Sequence, residues 1–367
     1  MEQSRVLDMG RTPVQSRNRK SDKVSLLRRM ATVSFLVVMG VVTMASFDSP
    51  AIAQGTRLPQ GKKVEPITDR INIALPSFAV TNLPIYIAMD KGYYREEKIE
   101  PRIILIGGPI GVAALLGGDV QFAAVGDTAV RARFQGAPLK VIATNLERPL
   151  YWLYARPEVG SLDDLKGQAV VVREIGNASQ VFFIKILKEK FGWSNPERDI
   201  RWIPTREILQ TLLSGSAIAG LLTTNEVVPA NRNGLKMLLD IGRYVQIPVG
   251  GLVATETLMA NKADLVRRFL RATLKGLWFL RKREKDSIAI LSKWMRIDEE
   301  SAAQIFASAR DFFTANGIVS DEAMKQSLEV NRKAVRSVAR EQSEADVFEF
   351  GPIKLARHEL ESTGWRP

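Results

Sequence analysis

Two stretches of this chain alternate short apolar runs with glycine-stopped helical segments, and they do so at one fixed offset. In the first, residues 71–75 (Ile-Asn-Ile-Ala-Leu) read as a buried strand, and Pro84 opens a helix that stops near Gly92. Residues 103–106 form a second strand ended by Gly107, Gly108 and Pro109, and a helix then runs to Leu116 and breaks at Gly118. Residues 120–125 and 139–143 are strands flanking a helix over 128–135, and residues 151–155 a further strand. The pattern restarts after Gly167, with strands at 168–172, 200–203 and 218–222. Helices at 181–191 and through Leu209, Leu212 and Leu213 separate them. Strand 168–172 follows strand 71–75 by 97 residues, and Leu212-Leu213-Ser214-Gly215 follows Leu115-Leu116-Gly117-Gly118 by the same 97. Strands alternating with helices of this length predict parallel βαβ units, and the shared offset predicts a duplicated lobe. The expected fold class is α/β with two lobes, a hinge and a helical C-terminal extension. The extension begins with a helix over 264–283, where Leu265, Phe269, Leu270, Leu274, Leu277 and Trp278 repeat at helical spacing.

The chain before these lobes reads as an export signal. Arg28 and Arg29 precede an uncharged apolar run over residues 30–44, and Ala51-Ile52-Ala53 offers small residues for cleavage after Ala53. That run is shorter than the ~20 residues of a spanning helix. An N-terminal anchor, a later start at Met9 or Met30, and twin-arginine export are the alternatives. Residues 54–69 read as a linker. Of 367 residues none is cysteine, so no disulfide and no cysteine-borne lipid is expected, which suits a freely diffusing periplasmic protein. The predicted domains are 70–157 plus 252–367 for the first lobe with the C-terminal helices, and 158–251 for the second. Removing the first 53 residues lowers the net charge from +12 to +8, leaving 44 basic and 36 acidic residues. The positives are spread along the chain, so no nucleic-acid stripe is predicted.

Several segments carry a family resemblance. Residues 83–94 (Leu-Pro-Ile-Tyr-Ile-Ala-Met-Asp-Lys-Gly-Tyr-Tyr) are similar to the P-x-Y-x-A-x-x-x-G-Y/F-F stretch of the substrate-binding proteins of nitrate/sulfonate/taurine ABC importers. Also similar are residues 117–123 (Gly-Gly-Asp-Val-Gln-Phe-Ala), Gly126-Asp127, residues 136–141 and the Ser161-to-Gly167 entry to the second lobe. The resemblance implies a type II periplasmic binding fold and capture of a small ligand. It also implies delivery to an ABC permease and ATPase in the inner membrane. A monomer without cofactor or bound metal is expected. Relatives usually carry aspartate where Gln121 stands and again near Ile218, so a different pocket polarity is expected here.

In open α/β sheets a ligand sits beyond the carboxyl ends of the strands, against helix N-termini. That rule selects Ser77, Phe78 and Asn82, then Gly108, Pro109 and Ile110, then Gly126, Asp127 and Thr128, with Asn145. From the second lobe it selects Gly176, Asn177, Ala178 and Ser179, then Thr224 and Asn225, and Gly250 where the chain returns. Taken singly, each glycine has a turn reading, and Asn177, Ser179 or Thr128 a capping one. Together they converge on one cleft, where free N–H groups predict an anionic ligand of the sulfonate, nitrate, bicarbonate or organic carboxylate class. Arg131, Arg148, Arg173 and Arg206 are candidate clamps; Tyr93, Tyr94 and Trp152 read as core or rim. Closure is expected about hinges near 156–160 and 249–254.

An enzyme on this fold, such as a thiamine-pyrimidine synthase, would use a histidine and lysine near the site. The single histidine, His358, lies near the C-terminus, and no nucleophile elbow or metal-spaced cluster appears in the sequence. A ligand-sensing adaptor is the other alternative, because sensing and transport both use lobe closure.

Overall fold

In the computed structural model the described residues are 66–335 and 337–367, within the compact unit Lys63–Pro367. The predicted signal and its cleavage site lie outside them, as does most of the linker.

The first lobe runs β1 (Asp69–Leu75), α1 (Leu83–Asp90), α2 (Tyr93–Glu96), β2 (Ile99–Leu105), α3 (Gly108–Gly117), β3 (Phe122–Ala123), α4 (Gly126–Phe134) and β4 (Leu139–Leu146). The second runs β5 (Trp152–Ala155), β6 (Ala169–Val172), α5 (Ala178–Phe191), α6 (Pro196–Asp199), β7 (Arg201–Pro204), α7 (Ile208–Leu213), β8 (Ala219–Leu222), α8 (Thr224–Arg232) and β9 (Lys236–Asp240). After β10 (Val249–Thr255) come α9 (Glu256–Asn261), α10 (Ala263–Lys282), α11 (Glu284–Met295), α12 (Glu299–Ala309), α13 (Asp321–Ala334), α14 (Glu344–Val347) and α15 (Gly351–Ser362).

The sheets have strand orders β2-β1-β3-β10-β4 and β7-β6-β8-β5-β9. They are the same order once each strand is replaced by its counterpart. The 97-residue offset extends to Phe122 with Ala219 and Leu139 with Lys236, the first residues of the paired strands. Two expectations are corrected. The sheets are mixed rather than parallel, because β10 runs antiparallel to β3 and β4, and β5 to β8 and β9. The strand near 151–155, placed in the first lobe from sequence, belongs to the second sheet. Val249 and Gly251 pair with Leu146 and Thr144 of the first sheet. The chain therefore crosses between Leu146 and Trp152 and again between Asp240 and Val249, earlier than 157/158 and 251/252. Strand β9 has no counterpart in the sequence reading, since it lies at a sheet edge with Lys236 and Met237 exposed.

The core of the first lobe forms where α10 crosses the sheet. Phe269 stacks on Phe122 with ring centroids 3.7 Å apart and on Tyr94 at 5.5 Å, and the Tyr94 hydroxyl meets Thr273 Oγ1 at 2.8 Å. Burying such rings is the largest stabilising contribution at this contact. Gly276 lets α10 approach α1, because a Cβ there would collide with the Pro84 carbonyl oxygen. Beside it, buried Glu97 accepts from Arg271 and from Lys275 Nζ at 3.2 Å, and Lys275 also binds Glu96 at 2.8 Å.

The C-terminal segment is stitched to β4. Thr314 Oγ1 donates to the Thr144 carbonyl at 2.8 Å, Thr314 N–H to the Asn145 carbonyl at 2.8 Å, and Val141 bridges Phe348. It also reaches the second lobe, where Arg232 on α8 meets Asp298 at 3.3 Å and Ser301 at 3.1 Å.

The Gly276→Ala substitution is expected to destabilise the protein by about 1–3 kcal/mol, the cost of overpacking against backbone that cannot rotate away. Urea unfolding measures it; a midpoint unchanged from wild type would show that α10 can shift freely from α1.

Candidate ligand-binding site

The carboxyl ends of β1, β3 and β4 and the start of β10 surround a cavity of about 250 Å³. Its wall includes Ser77, Thr81, Asn82, Gly108, Gly126, Asp127, Thr128, Thr144, Gly250 and Ser327. Two backbone features shape it. Gly126, at the start of α4, lies against Gly251 so closely that a Cβ on either would stand 3.0 Å from the other's Cα. Gly250 has φ +71°, and a Cβ there would stand 3.2 Å from the Thr81 carbonyl. The α4 N-terminus, whose first N–H groups have no intrahelical partner and no side-chain cap, is thereby held at the cavity wall.

A second cavity of about 810 Å³ lies between the lobes. Arg131 and the α13 residues Gln326, Val330 and Asn331 line it from the first-lobe side. Gly176, Asn177, Ala178, Val181, Phe182 and Ile186 line it from the second. Arg131 donates to Thr128 Oγ1 at 3.3 Å and to Asn331 Oδ1 at 2.9 Å, which links the two cavities along one face of α4.

Of the residues selected from sequence, Ser77, Asn82, Gly108, Gly126, Asp127, Thr128 and Gly250 meet in the smaller cavity. Gly176, Asn177 and Ala178 meet in the larger one. Asn145 is buried behind the wall, its Nδ2 donating to the Thr81 carbonyl at 2.7 Å. Ser179 is buried and donates to Asn177 Oδ1 at 3.0 Å, while Asn177 caps α5 by accepting from Gln180 N–H at 2.9 Å. Besides Asn145 and Ser179, five residues line neither cavity. Phe78 packs its ring against Tyr86 and Trp294, and Pro109 and Ile110 face outward in the first turn of α3. Thr224 and Asn225 follow the true cap, Thr223, whose N–H and hydroxyl bind Glu226 at 2.8 Å.

Of the candidate clamps, Arg131 alone lines a cavity. Arg173 is paired with Glu226 at 2.6 Å, Arg148 donates to the Gly242 and Arg243 carbonyls, and Arg206 is exposed. Gln121 and Ile218 precede β3 and β8, at the strand ends opposite the cavity. Gln121 ties Gly118 O and Asn72 N–H together at 3.0 and 2.8 Å and does not line the cavity, so the pocket-polarity change expected from it is corrected.

Sequence reading missed the cavity residues Thr81, Thr144 and those of α13, and Tyr151 beside them. Tyr151 packs 6.4 Å from the Phe182 ring; burial, with the Asp127 charge adding, pushes its hydroxyl up to about 12, against Arg173. Asp127 has surface open to the cleft but is walled in by protein, and this desolvation raises its carboxyl above the usual range despite Arg131 and Asn331.

Such an assembly, two α/β lobes joined by two chain crossings with polar groups around cavities beside and between them, has the architecture of a two-lobed binding fold. Residues 80–286 match the NMT1/THI5-like family, more than half of the chain, and the chain belongs to that family. A curated relative is the riboflavin-binding protein RibY of Chloroflexus aurantiacus, 26% identical over 265 residues, covering 68% of this chain and 73% of that protein. Among solved structures, the periplasmic aliphatic sulphonate binding protein SsuA of Escherichia coli aligns with TM-score 0.62 and 16% identity. The alignment covers 76% of this chain and 91% of that one. The periplasmic nitrate-binding protein NrtA of Synechocystis PCC 6803 aligns with TM-score 0.60 and 13% identity, over 80% and 89%. These likenesses show the periplasmic binding protein fold. Among the described residues no helix is long and apolar enough to cross a membrane.

Because the folded state holds Asp127 with a raised pKa, it binds the proton more tightly than the unfolded chain. That stability is present below the ordinary aspartate range and is lost as pH rises through the folded pKa. The Asp127→Asn substitution is therefore expected to raise the melting temperature at pH 7, with the gain fading toward pH 4. Calorimetry across pH tests it; an equal shift at both pH values would contradict the assignment.

Proposed function

We propose that this chain is the exported solute-binding component of an ABC importer, taking a small organic anion between its lobes and presenting the closed form to an inner-membrane permease. The observation that carries this reading is the cleft itself. Polar groups at the strand ends of the first lobe line one cavity, and Arg131 with α13 faces α5 of the second lobe across the other, with the α4 N-terminus and Arg131 offering donors to an anionic group. The family and the periplasmic, ligand-binding names of its structural neighbours support it. Binding without chemical conversion is part of the proposal. His358 sits exposed on α15, and the smaller cavity presents one carboxylate and no second acid or base to work with it.

Closure rotates the lobes about the two crossings, 147–151 and 241–248, and the ligand shifts the open–closed equilibrium by its contacts with both. Small-angle scattering of the mature protein, expected to be a monomer, should show a smaller radius of gyration with a saturating ligand found by thermal-shift screening. Mass spectrometry of the released ligand should show it unchanged. A constant radius at saturation would remove lobe closure from the mechanism, and a modified ligand would point to an enzyme.

A further inference from the structure

We infer that the ligand carries hydrogen-bond donors of its own, a hydroxyl, amide or ammonium group set apart from its anionic group, and that Asp127 selects for them. This rests on the solute-binding reading above and narrows it.

Apart from the N–H groups at the start of α4, the smaller cavity is rich in side-chain acceptors and holds no cationic side chain. Among its lining residues Asp127 is the one that ionises, and none is Lys or Arg. Asn82, 3% exposed, has an Oδ1 with no hydrogen-bond partner, and Thr144, 0% exposed, has a partnerless Oγ1. Both residues belong to the same wall as Asp127. Arg131 stands one turn further along α4 and lines the other cavity, where two of its five donors are taken by Thr128 and Asn331.

The division of labour follows from charge. A donor-free anion pressed into the smaller cavity would meet the α4 N–H groups, but it would also face the Asp127 carboxylate and strip water from Asn82 Oδ1, which it cannot satisfy. A buried polar group left unpaired costs more than its hydrogen bond gains. A hydroxyl, amide or ammonium group in the same place satisfies Asp127 and Asn82, while the anionic end of the molecule reaches Arg131. Sites built to bind a substrate O–H or N–H reject the analogue that lacks it far more strongly than apolar pockets reject a missing methylene. Nitrate and simple alkanesulfonates are expected to bind more weakly on this ground. Amino- or hydroxy-substituted carboxylates and sulfonates fit, as do larger solutes that combine hydroxyl or imide donors with acceptors.

Titration calorimetry on the mature wild-type protein with matched pairs tests this: ethanesulfonate against taurine and isethionate, propionate against β-alanine and 3-hydroxypropionate, with nitrate and riboflavin alongside. The expected result is binding of donor-bearing members roughly tenfold or more tighter than their donor-free partners. That preference should collapse in Asp127→Ala and weaken in the isosteric Asp127→Asn, with circular dichroism confirming that both variants fold. A donor-free anion binding as tightly as its partner would overturn the proposal and leave the solute-binding reading standing. So would an unchanged preference in Asp127→Ala. Absence of binding by every probe to wild type would count against that reading and against this inference with it.

Discussion

Both sheets depend on an antiparallel strand supplied by the chain just after it crosses. β5 lies between β8 and β9, and β10 between β3 and β4, so without them β9 and β4 would have no sheet to join. The first sheet pairs residues more than a hundred apart in sequence, Leu139 with Thr255, and closes only when the chain has traversed the second. Such non-local pairing makes completion of the first lobe conditional on the second. It also fixes where the cleft lies. β10 enters beside the α4 N-terminus, and the mutual approach of Gly126 and Gly251 admits no side chain at either position. The site is therefore a consequence of the crossing: the return strand, the anion-friendly helix end and the Asp127 carboxylate meet because the sheet needs its fourth strand.

The cleft is held open to a ligand at some cost to stability. The Asp127 carboxyl is open to the cleft yet raised above its usual range by the protein packed around it, and Asn82 Oδ1 and Thr144 Oγ1 are buried without partners. Functional sites commonly carry such unsatisfied groups, and the rest of the fold offsets them. Here the offset is apolar. The Phe122–Phe269–Tyr94 stack and the close α1–α10 packing at Gly276 lie under the first sheet, away from the cleft. The charged network of Glu97, Arg271, Lys275, Glu96 and Glu359 contributes differently. Buried ion pairs roughly break even against desolvation, so its effect is to orient α2, α10 and α15 on one another.

Much of this was legible because the lobe plan writes itself in punctuation. Gly118 and Gly215, with φ of +82° and +80°, stop helices before equivalent strands, and a stop of that kind is visible as a residue type. The rule of strand carboxyl ends then selects Asp127, Asn82 and Gly250, which line the smaller cavity. It failed where local sequence carries no trace of a long-range partner. Residues 151–155 look like a strand in any sheet, and only pairing with β8 and β9 assigns them. Thr144 lies mid-strand with no glycine to mark it. Thr224 and Asn225 illustrate the converse: cap-type residues after a strand that serve the helix and not the cleft.

The C-terminal helices hold the least legible part of the site, and their position bears on how the lobes move. In α13 the residues Ser327 and Asn331 stand one turn apart on a face packed against α4, and Asn331 takes the hydrogen bond from Arg131. From sequence this face reads as one more polar stripe, because nothing distinguishes a polar residue facing a cleft from one facing water. The neighbouring Val330 packs against the core cluster of the second lobe. Helix α13 is thus fastened to the first lobe and touches the second across the larger cavity. Arg232 with Asp298 and Ser301 makes a separate tie between α8 and α12. In the closure proposed above, rotation about the two crossings would slide or break these contacts. Ligand affinity would then depend on the difference between what closure gains in the cleft and what it gives up at α12 and α13, so substitutions at Val330 or Arg232 would act on affinity without touching the ligand.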